Sequence, residues 1–154
     1  MPATGRAAEL VAALDLQPHV EGGHYRRFYT AAAADGARPA LSAIHFLLAA
    51  GEVSAWHAVD AEEAWHYAEG DPLELLIYRP AERRLERHRL GPLVQGGTPA
   101  CVVPAHAWQA ARPLGGYTLV TCTVAPAFEF AGFRLLADEP FGDTLRSLLA
   151  SPAR

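Results

Sequence analysis

Lysine is missing from this 154-residue chain, so all 13 of its basic side chains are arginines. With the alanine-rich runs, this bias reflects genome composition rather than a particular chemistry. Acidic residues outnumber basic ones and leave a formal net charge of -4. Binding to nucleic acid or to an anionic membrane needs a basic surface that attracts phosphates or head groups. We therefore expect neither nucleic acid nor a membrane among the partners.

Cysteine is scarce, since Cys101 and Cys122 are the only two. Two thiols cannot build a disulfide framework or a four-cysteine metal site. Both lie in apolar runs, and we expect buried, reduced thiols, with a single bridge as the alternative. The N-terminus has no basic start followed by an apolar stretch, and no run reaches the roughly 18 apolar residues of a membrane span. These absences predict a cytoplasmic protein.

The length of the chain limits its organisation. A chain of 154 residues can bury a core without disulfides but is too short for two domains of ordinary size. Its hydrophobic fraction of 51% and charged fraction of 19% are typical of a folded protein. We expect a single domain over residues 1–154.

Long helical patterns are also lacking. Apolar spacing between Ala7 and Leu16 predicts one short helix that Pro18 ends, and Asp143 can cap a second near the C-terminus. Runs rich in β-branched and aromatic residues fill the rest, with glycine and proline between them. The predicted strands are His24 to Thr30, Leu41 to Ala49, Val53 to Val59, Glu63 to Ala68, Leu73 to Arg79, Arg83 to Leu90, Ala100 to Val103, Trp108 to Ala111 and Tyr117 to Val124. About nine short strands favour an all-β barrel or sandwich.

The most informative stretch runs from Gly51 to Gly70 and follows the pattern G-x5-H-x-H-x3-E-x6-G. Gly51, His57, Glu63 and Gly70 occupy four of its five defined positions. Val59 replaces the second histidine and shares a strand face with His57, because residues two apart point the same way. A turn at about residues 60–62 should bring Glu63 beside them. An imidazole and a carboxylate at one inward-facing spot form either an acid/base pair or part of a metal site.

A second pattern, G-x5-P-x-G-x2-H-x3-N, is kept only in part, in the segment from Pro104 to Gln109. Gln109 takes the histidine position. His106 stands where glycine is usual, so we expect a positive φ at this residue if the turn is kept.

These two patterns resemble the signatures of the cupin superfamily. Six segments in matching order resemble its fifth family, namely residues 19–26, 42–48, 54–67, 70–75, 102–111 and 117–130. The resemblance implies a double-stranded β-helix, or jelly-roll barrel, here with a short helix near each end of the chain. It also implies a homodimer in which N-terminal strands pack against the partner. Members of this family are largely uncharacterised, so the resemblance implies no particular reaction.

Cupins usually hold a divalent metal with four side chains, and this sequence offers His57, Glu63 and Gln109. An amide oxygen is a weak ligand, and a firm transition-metal site needs more imidazoles or carboxylates. No cofactor is certain, and a divalent metal on these three residues is one hypothesis. Additional donors would have to come from elsewhere in the chain. The candidates are His24, His45 and His66.

Strand alternation places other side chains in the pocket. Trp65 and Tyr67 share the face of Glu63, so we expect them to line the pocket with Gln109, with core packing as the alternative for the two aromatic residues. Arg26 is the candidate for holding an anionic ligand group, because its planar donors suit a carboxylate or phosphate. The segment 21–23 is interpreted as a turn, with Glu21 or Arg26 at the pocket mouth as the alternative.

The leading functional hypothesis is a cupin that binds a small organic molecule. His57 would act as a general base and Glu63 would share its proton, as in the sugar-nucleotide epimerases that have this barrel. That comparison is one of fold alone. The partner acid would be Tyr67 or Tyr117. A metal-dependent enzyme and a non-catalytic ligand sensor or storage protein are the alternatives, and whether the chain is an enzyme stays open.

Overall fold

The computed structural model describes residues 5–136 and 139–150, which form two antiparallel β-sheets and two short helices. The helices are α1 (Gly5–Ala13) and α2 (Gly142–Ala150). The strands are β1 (Gln17–Pro18), β2 (His24–Thr30), β3 (Ser42–Ala49), β4 (Ser54–Val59), β5 (Glu62–Gly70), β6 (Leu73–Arg79), β7 (Arg84–Leu90), β8 (Ala100–Val103), β9 (Trp108–Pro113), β10 (Tyr117–Ala125) and β11 (Phe133–Leu135). The predicted jelly-roll barrel with a short helix near each end is confirmed.

All nine predicted strands are present, with boundaries that differ by two residues or fewer. Two further strands, β1 and β11, have two and three residues, too few to show a period in the sequence. Helix α1 ends at Ala13, before the predicted end at Leu16. The backbone turns there through Asp15, whose φ is 51°.

The two sheets face each other. One has six strands in the order β1-β2-β3-β10-β5-β8, and the other has five in the order β11-β4-β9-β6-β7. Side chains from both sheets fill the space between them and form the main core. Its largest members are Phe46, Leu48, Trp65, Leu73, Leu75, Ile77 and Leu90.

The helices cover the outer faces of the sheets. Leu10 of α1 packs against Leu47 and Leu119 of the six-stranded sheet. Leu145 of α2 packs against the five-stranded sheet, and its carbonyl oxygen accepts a 2.8 Å hydrogen bond from the indole of Trp56. Strands such as β3 and β6 are thus buried on both faces, which explains their nearly continuous apolar sequences.

The two thiols, the turn at His106 and the lengths of the helices bear on three predictions from the sequence. Cys101 and Cys122 are both free thiols, although Cys101 is only half-buried. His106 has a φ of 70°, as its place in the glycine position predicted. Within the described residues, no helix is long and apolar enough to cross a membrane.

Candidate functional site

A cavity of about 350 Å³ lies between the sheets and is bordered by four buried titratable side chains. These are His19, Glu21, His57 and Glu63. Apolar side chains form most of the remaining wall, with Arg27 and Glu129 beside them. The apolar residues are Tyr25, Ile44, Val59, Val124, Phe128 and Phe130. Exposure of Arg27 and Phe130 marks the open side of the cavity.

Strand β4 positions His57 by simple alternation. His57 and Val59 border the cavity, whereas Trp56 and Ala58 point outward against the layer formed by α2. The chain then crosses to the other sheet, because β4 and β5 belong to different sheets. Glu63 therefore reaches the cavity from the six-stranded sheet, whereas His57 reaches it from the five-stranded sheet.

Glu21 reaches the cavity from the turn between β1 and β2. Its backbone carbonyl accepts a 2.8 Å hydrogen bond from Ala55 N, which holds the turn against β4. Gly22 has a φ of 111°, and a Cβ there would lie 2.0 Å from the carbonyl oxygen of Val53. Only glycine fits so close to another backbone. The segment is thus a turn, as interpreted, and it also places Glu21 in the cavity, which was the alternative.

Glu21 and His57 form a buried pair. Glu21 Oε2 lies 3.2 Å from His57 Nε2, and Glu21 Oε1 accepts a 3.0 Å hydrogen bond from the Ser54 hydroxyl. His57 Nδ1 lies 2.7 Å from the carbonyl oxygen of Ala55. Because a carbonyl oxygen only accepts, Nδ1 carries the hydrogen, and the neutral ring turns the lone pair of Nε2 toward the Glu21 carboxyl group.

Desolvation sets the charge of this pair. Burial raises the pKa of Glu21 to about 7, although the charge of His19 and the Ser54 hydrogen bond oppose the shift. Burial also lowers the pKa of His57, with the negative charge of Glu63 opposing it. Both effects favour neutral groups, that is, a protonated Glu21 beside a neutral His57.

Two hydrogen bonds in series hold the carboxyl group of Glu63 in place. Gln109 Nε2 donates to Glu63 Oε1 at 2.9 Å, and the indole of Trp65 donates to Gln109 Oε1 at 2.8 Å. Burial raises the pKa of Glu63 to about 7 and the negative charge of Glu21 adds to this, whereas His57, Gln109 and the Cys122 thiol lower it. The two carboxyl groups therefore oppose each other's ionisation, and their titrations are coupled.

The predicted metal ligands do not fit a divalent cation as they are placed. An indole N–H can only donate, so Gln109 must turn its oxygen to Trp65 and its amide nitrogen to Glu63. Gln109 is also only 1% exposed and does not border the cavity. Among residues 5–136 and 139–150, no group of three or more His, Cys, Asp or Glu side chains is arranged to hold a metal.

None of the three additional histidines proposed as donors borders the cavity. His66 is exposed, and His45 stacks on Phe28 with ring centroids 4.2 Å apart. His24 lies 3.9 Å from Glu52.

The aromatic residues expected in the pocket lie elsewhere. Trp65 and Tyr67 pack in the core between the sheets and do not border the cavity, so the core alternative holds. The Tyr67 phenol donates to Gly70 O at 2.6 Å, and the Tyr117 phenol donates to Glu69 at 2.7 Å. Neither phenol reaches the cavity, and Tyr25 is the tyrosine that borders it.

Arg26 also lies away from the cavity, where it contacts Asp15. Its neighbour Arg27 borders the cavity and donates a 2.9 Å hydrogen bond to Phe128 O. Successive residues of a strand point to opposite faces, and Tyr25 and Arg27 share the inward face of β2. The expectation for Arg26 was off by one residue because the sequence does not show which face of β2 turns inward.

Sequence reasoning missed several residues that border the cavity. Most of them lie in the segments 19–26, 42–48 and 117–130, which resemble family blocks but do not reveal side-chain direction, and Arg27 follows the first of these directly. The missed residues are His19, Tyr25, Arg27, Ile44, Val124, Phe128, Glu129 and Phe130.

Comparison with known proteins agrees with this architecture. A family model described as Cupin_5, Cupin superfamily (DUF985), matches residues 8–136. Protein SO0799 from Shewanella oneidensis has a solved structure that is 32% identical with a TM-score of 0.86, over 98% of this chain and 99% of its own. A hypothetical protein from Leishmania major is 27% identical with a TM-score of 0.77, over 95% of this chain and 93% of its own.

More distant structures share the fold alone. An oxalate decarboxylase from B. subtilis is 13% identical with a TM-score of 0.62, over 89% of this chain and 35% of its own. No curated protein matches the sequence.

Proposed function

The chain belongs to the Cupin_5 family of the cupin superfamily, and from this premise we propose that its cavity binds a small organic molecule and moves a proton on it. The observation that carries the proposal is the buried pair of Glu21 and His57, 3.2 Å apart at the wall of the cavity. Burying a titratable group lowers the stability of the fold, and such groups are found mainly at active sites, where the chemistry requires them.

The size and lining of the cavity support a small ligand. A volume of about 350 Å³ lies at the lower end of the range usual for ligand pockets. Aromatic and aliphatic walls would hold the carbon skeleton. Arg27, at the open side, presents a planar set of donors that suits a carboxylate. We therefore propose a small carbonyl compound with an anionic group.

The chemistry follows from the protonation of the site. Removing a proton from carbon beside a carbonyl group needs a base whose pKa lies near the working pH. Burial raises the pKa of Glu21 and Glu63 to about 7, and their repulsion favours one protonated and one ionised carboxyl group. Such a site offers a base and an acid together, as an isomerase or epimerase requires.

Two donors favour Glu63 as the ionised member, since Gln109 and Cys122 both hydrogen-bond to it. Glu21, whose carboxyl group lies 3.2 Å from His57, is then the acid, and Glu63 takes the place of His57 as the proposed base. A non-catalytic sensor would not need two buried carboxyl groups with pKa values raised to about 7. The site therefore favours catalysis over simple binding.

Hydrogen exchange tests the proposal on a small set of candidate compounds. The protein is incubated in D2O with pyruvate, 2-oxobutyrate or 2-oxoglutarate beside a protein-free sample, and proton NMR follows the loss of the C–H signal beside the carbonyl group. We expect exchange with at least one of these compounds. The His57→Gln and Glu21→Gln variants should slow it by about 100-fold or more.

His66→Gln is the matched control, because His66 is an exposed histidine on the outside of β5. A compound that binds but shows no exchange would establish a sensor instead of an enzyme. Exchange that disappears on dialysis against EDTA and returns with a divalent metal would establish the metal-dependent alternative.

A further inference from the structure

A second buried imidazole, that of His19, borders the same cavity and has no part in the proton transfer proposed above. Its side chain is 7% exposed. Three aromatic rings hold it edge-on, with centroids 4.4 Å away for Tyr25, 6.0 Å for Phe46 and 6.5 Å for Phe133. The ring is thus fixed in orientation as well as in position.

One hydrogen bond decides which nitrogen of His19 carries the hydrogen. The backbone N–H of Glu21 donates to His19 Nδ1 at 3.1 Å. A backbone N–H cannot accept, so Nδ1 holds a lone pair and the neutral ring is protonated at Nε2. Burial lowers the pKa of His19, with the charge of Glu21 opposing the shift, and this keeps the ring neutral.

The Nε2–H group of His19 is available to a ligand. Nε2 has no hydrogen-bond partner within the described residues, yet it is not among their buried unpaired atoms. It therefore faces open space, and the open space beside this ring is the cavity.

The two imidazoles of the cavity are thus fixed in opposite tautomers. His57 donates from Nδ1 to the backbone and turns Nε2 to the carboxyl group of Glu21. His19 accepts at Nδ1 and offers Nε2–H. Glu21 determines both arrangements, because its backbone N–H binds one ring and its carboxyl group binds the other.

We infer that His19 is a further catalytic residue whose Nε2–H donates a hydrogen bond to the carbonyl oxygen of the substrate. This inference rests on the proton transfer proposed above. When the base removes the proton, the C–H electron pair forms a C=C bond and the carbonyl π electrons move to oxygen. The enolate oxygen then carries the negative charge that Nε2–H stabilises. Returning a proton to carbon restores the carbonyl group, and no oxidant or reductant is needed.

Two variants of His19 separate this role from a structural one. In His19→Asn the side-chain oxygen stands near the place of Nδ1, so it can accept from Glu21 N, but no group reaches the place of Nε2. In His19→Gln the amide N–H reaches the place of Nε2, but the acceptor beside Glu21 is lost. The rate of exchange in D2O is measured for the compound that the wild-type protein exchanges.

We expect His19→Asn to lower this rate by about 100- to 1000-fold, the effect of losing one donor to a developing oxyanion. His19→Gln should keep most of the activity. The reverse ranking would show that His19 only holds Glu21 in place, and equal, near wild-type rates would show that the donor is not used. Either result overturns the inference.

The tautomer can be read directly from long-range proton–nitrogen NMR spectra of protein labelled with 15N-histidine. We expect Nε2–H for His19 and Nδ1–H for His57 at neutral pH. A His19 ring protonated at Nδ1 would overturn the inference. If both variants are inactive, the His19 Nε2–H signal decides, since it should shift when the exchanged compound is added and a constant signal would contradict the role.

The two proposals can fail separately. Absence of exchange in the wild-type protein would remove the proposed reaction and this role with it. Exchange in the wild-type protein that His19→Asn leaves unchanged would remove only the role of His19.

Discussion

At the scale of single residues, the site is organised around Glu21. Its carboxyl group contacts His57 and Ser54, and its backbone N–H contacts His19. Glutamine is a close mimic of a protonated glutamate, because it can donate to His57 and accept from Ser54. Replacing Glu21 by glutamine therefore removes a titrating proton while keeping the hydrogen bonds.

The pH dependence of stability should report the titration of Glu21. Its pKa is raised from 4.5 to about 7 by burial, so between these values the folded chain holds a proton that the unfolded chain has released. Raising the pH through this window therefore destabilises the folded state. We expect the Tm of Glu21→Gln, relative to wild type, to increase from about pH 5 to about pH 8.

Thermal unfolding of both proteins across this range is the measurement. His19 and His57 have pKa values lowered by burial and act in the opposite sense, but they are present in both proteins. Glu63 has a pKa raised to about 7 and acts in the same sense as Glu21, and the loss of the Glu21 charge lowers that pKa, which adds to the expected difference. Glu62→Gln, at an exposed carboxylate of β5, is the control and should differ from wild type by a constant amount. A constant difference for Glu21→Gln as well would contradict the buried, protonated state.

Arg27 and Arg26 form a natural pair for testing ligand charge. They are neighbours on β2, but only Arg27 borders the cavity. If Arg27 holds the anionic group of the substrate, Arg27→Gln should raise KM about tenfold or more, with a smaller effect on kcat. Arg26→Gln should leave both parameters unchanged. Steady-state exchange rates at several substrate concentrations give the answer, and equal effects of the two variants would exclude Arg27 as the anion contact.

At the scale of elements, the turn between β1 and β2 determines where Glu21 lies. The turn is anchored to β4 by the hydrogen bond from Ala55 N to Glu21 O. Gly22 makes this close approach of two backbones possible, since a Cβ would lie 2.0 Å from the oxygen of Val53.

Gly22→Ala should therefore displace the turn and separate Glu21 from His57. We expect a loss of stability of about 1 to 3 kcal/mol from the clash, together with a large loss of exchange activity. Gly36→Ala is the matched control, because Gly36 also has a positive φ but a Cβ there would have nothing within 4 Å. Urea unfolding and exchange rates should show activity retained in Gly36→Ala, and retained activity in Gly22→Ala would show that the turn does not position Glu21.

At the scale of the whole molecule, the helices and the cavity lie on opposite faces of the sheets. Helix α2 packs on the outer face of the five-stranded sheet through Leu145, which is 2% exposed. His57 lies on the opposite face of the same sheet. Stability and activity should therefore separate when the outer layer is altered.

Leu145→Ala should lower the free energy of unfolding by about 2 to 4 kcal/mol, because it leaves a cavity against Trp56 and Trp108. The exchange rate per folded molecule should stay close to that of wild type. Val94→Ala is the control at an apolar residue that is 94% exposed, and it should change stability by less than about 0.5 kcal/mol. Loss of exchange in folded Leu145→Ala would show that the outer layer and the site are coupled.

The sequence by itself determined the fold and the position of the site's centre. Nine strands and two short helices follow from apolar periodicity and from the placing of glycine and proline, which are local properties of the chain. His57 and Glu63 were expected together from spacing alone, and both border the cavity. The positive φ of His106 followed from its place in a glycine position.

Only the tertiary structure decided which other side chains surround the cavity. Periodicity shows that Arg26 and Arg27 point to opposite faces but not which face turns inward, because that depends on the register against β3. Trp65 shares the face of Glu63, yet it lies in the core between the sheets, where it binds Gln109 and turns that amide oxygen away from any metal. Glu21 lies about 40 residues before Glu63 in the chain, and only the packing of a two-glycine turn against β4 brings its carboxyl group to His57.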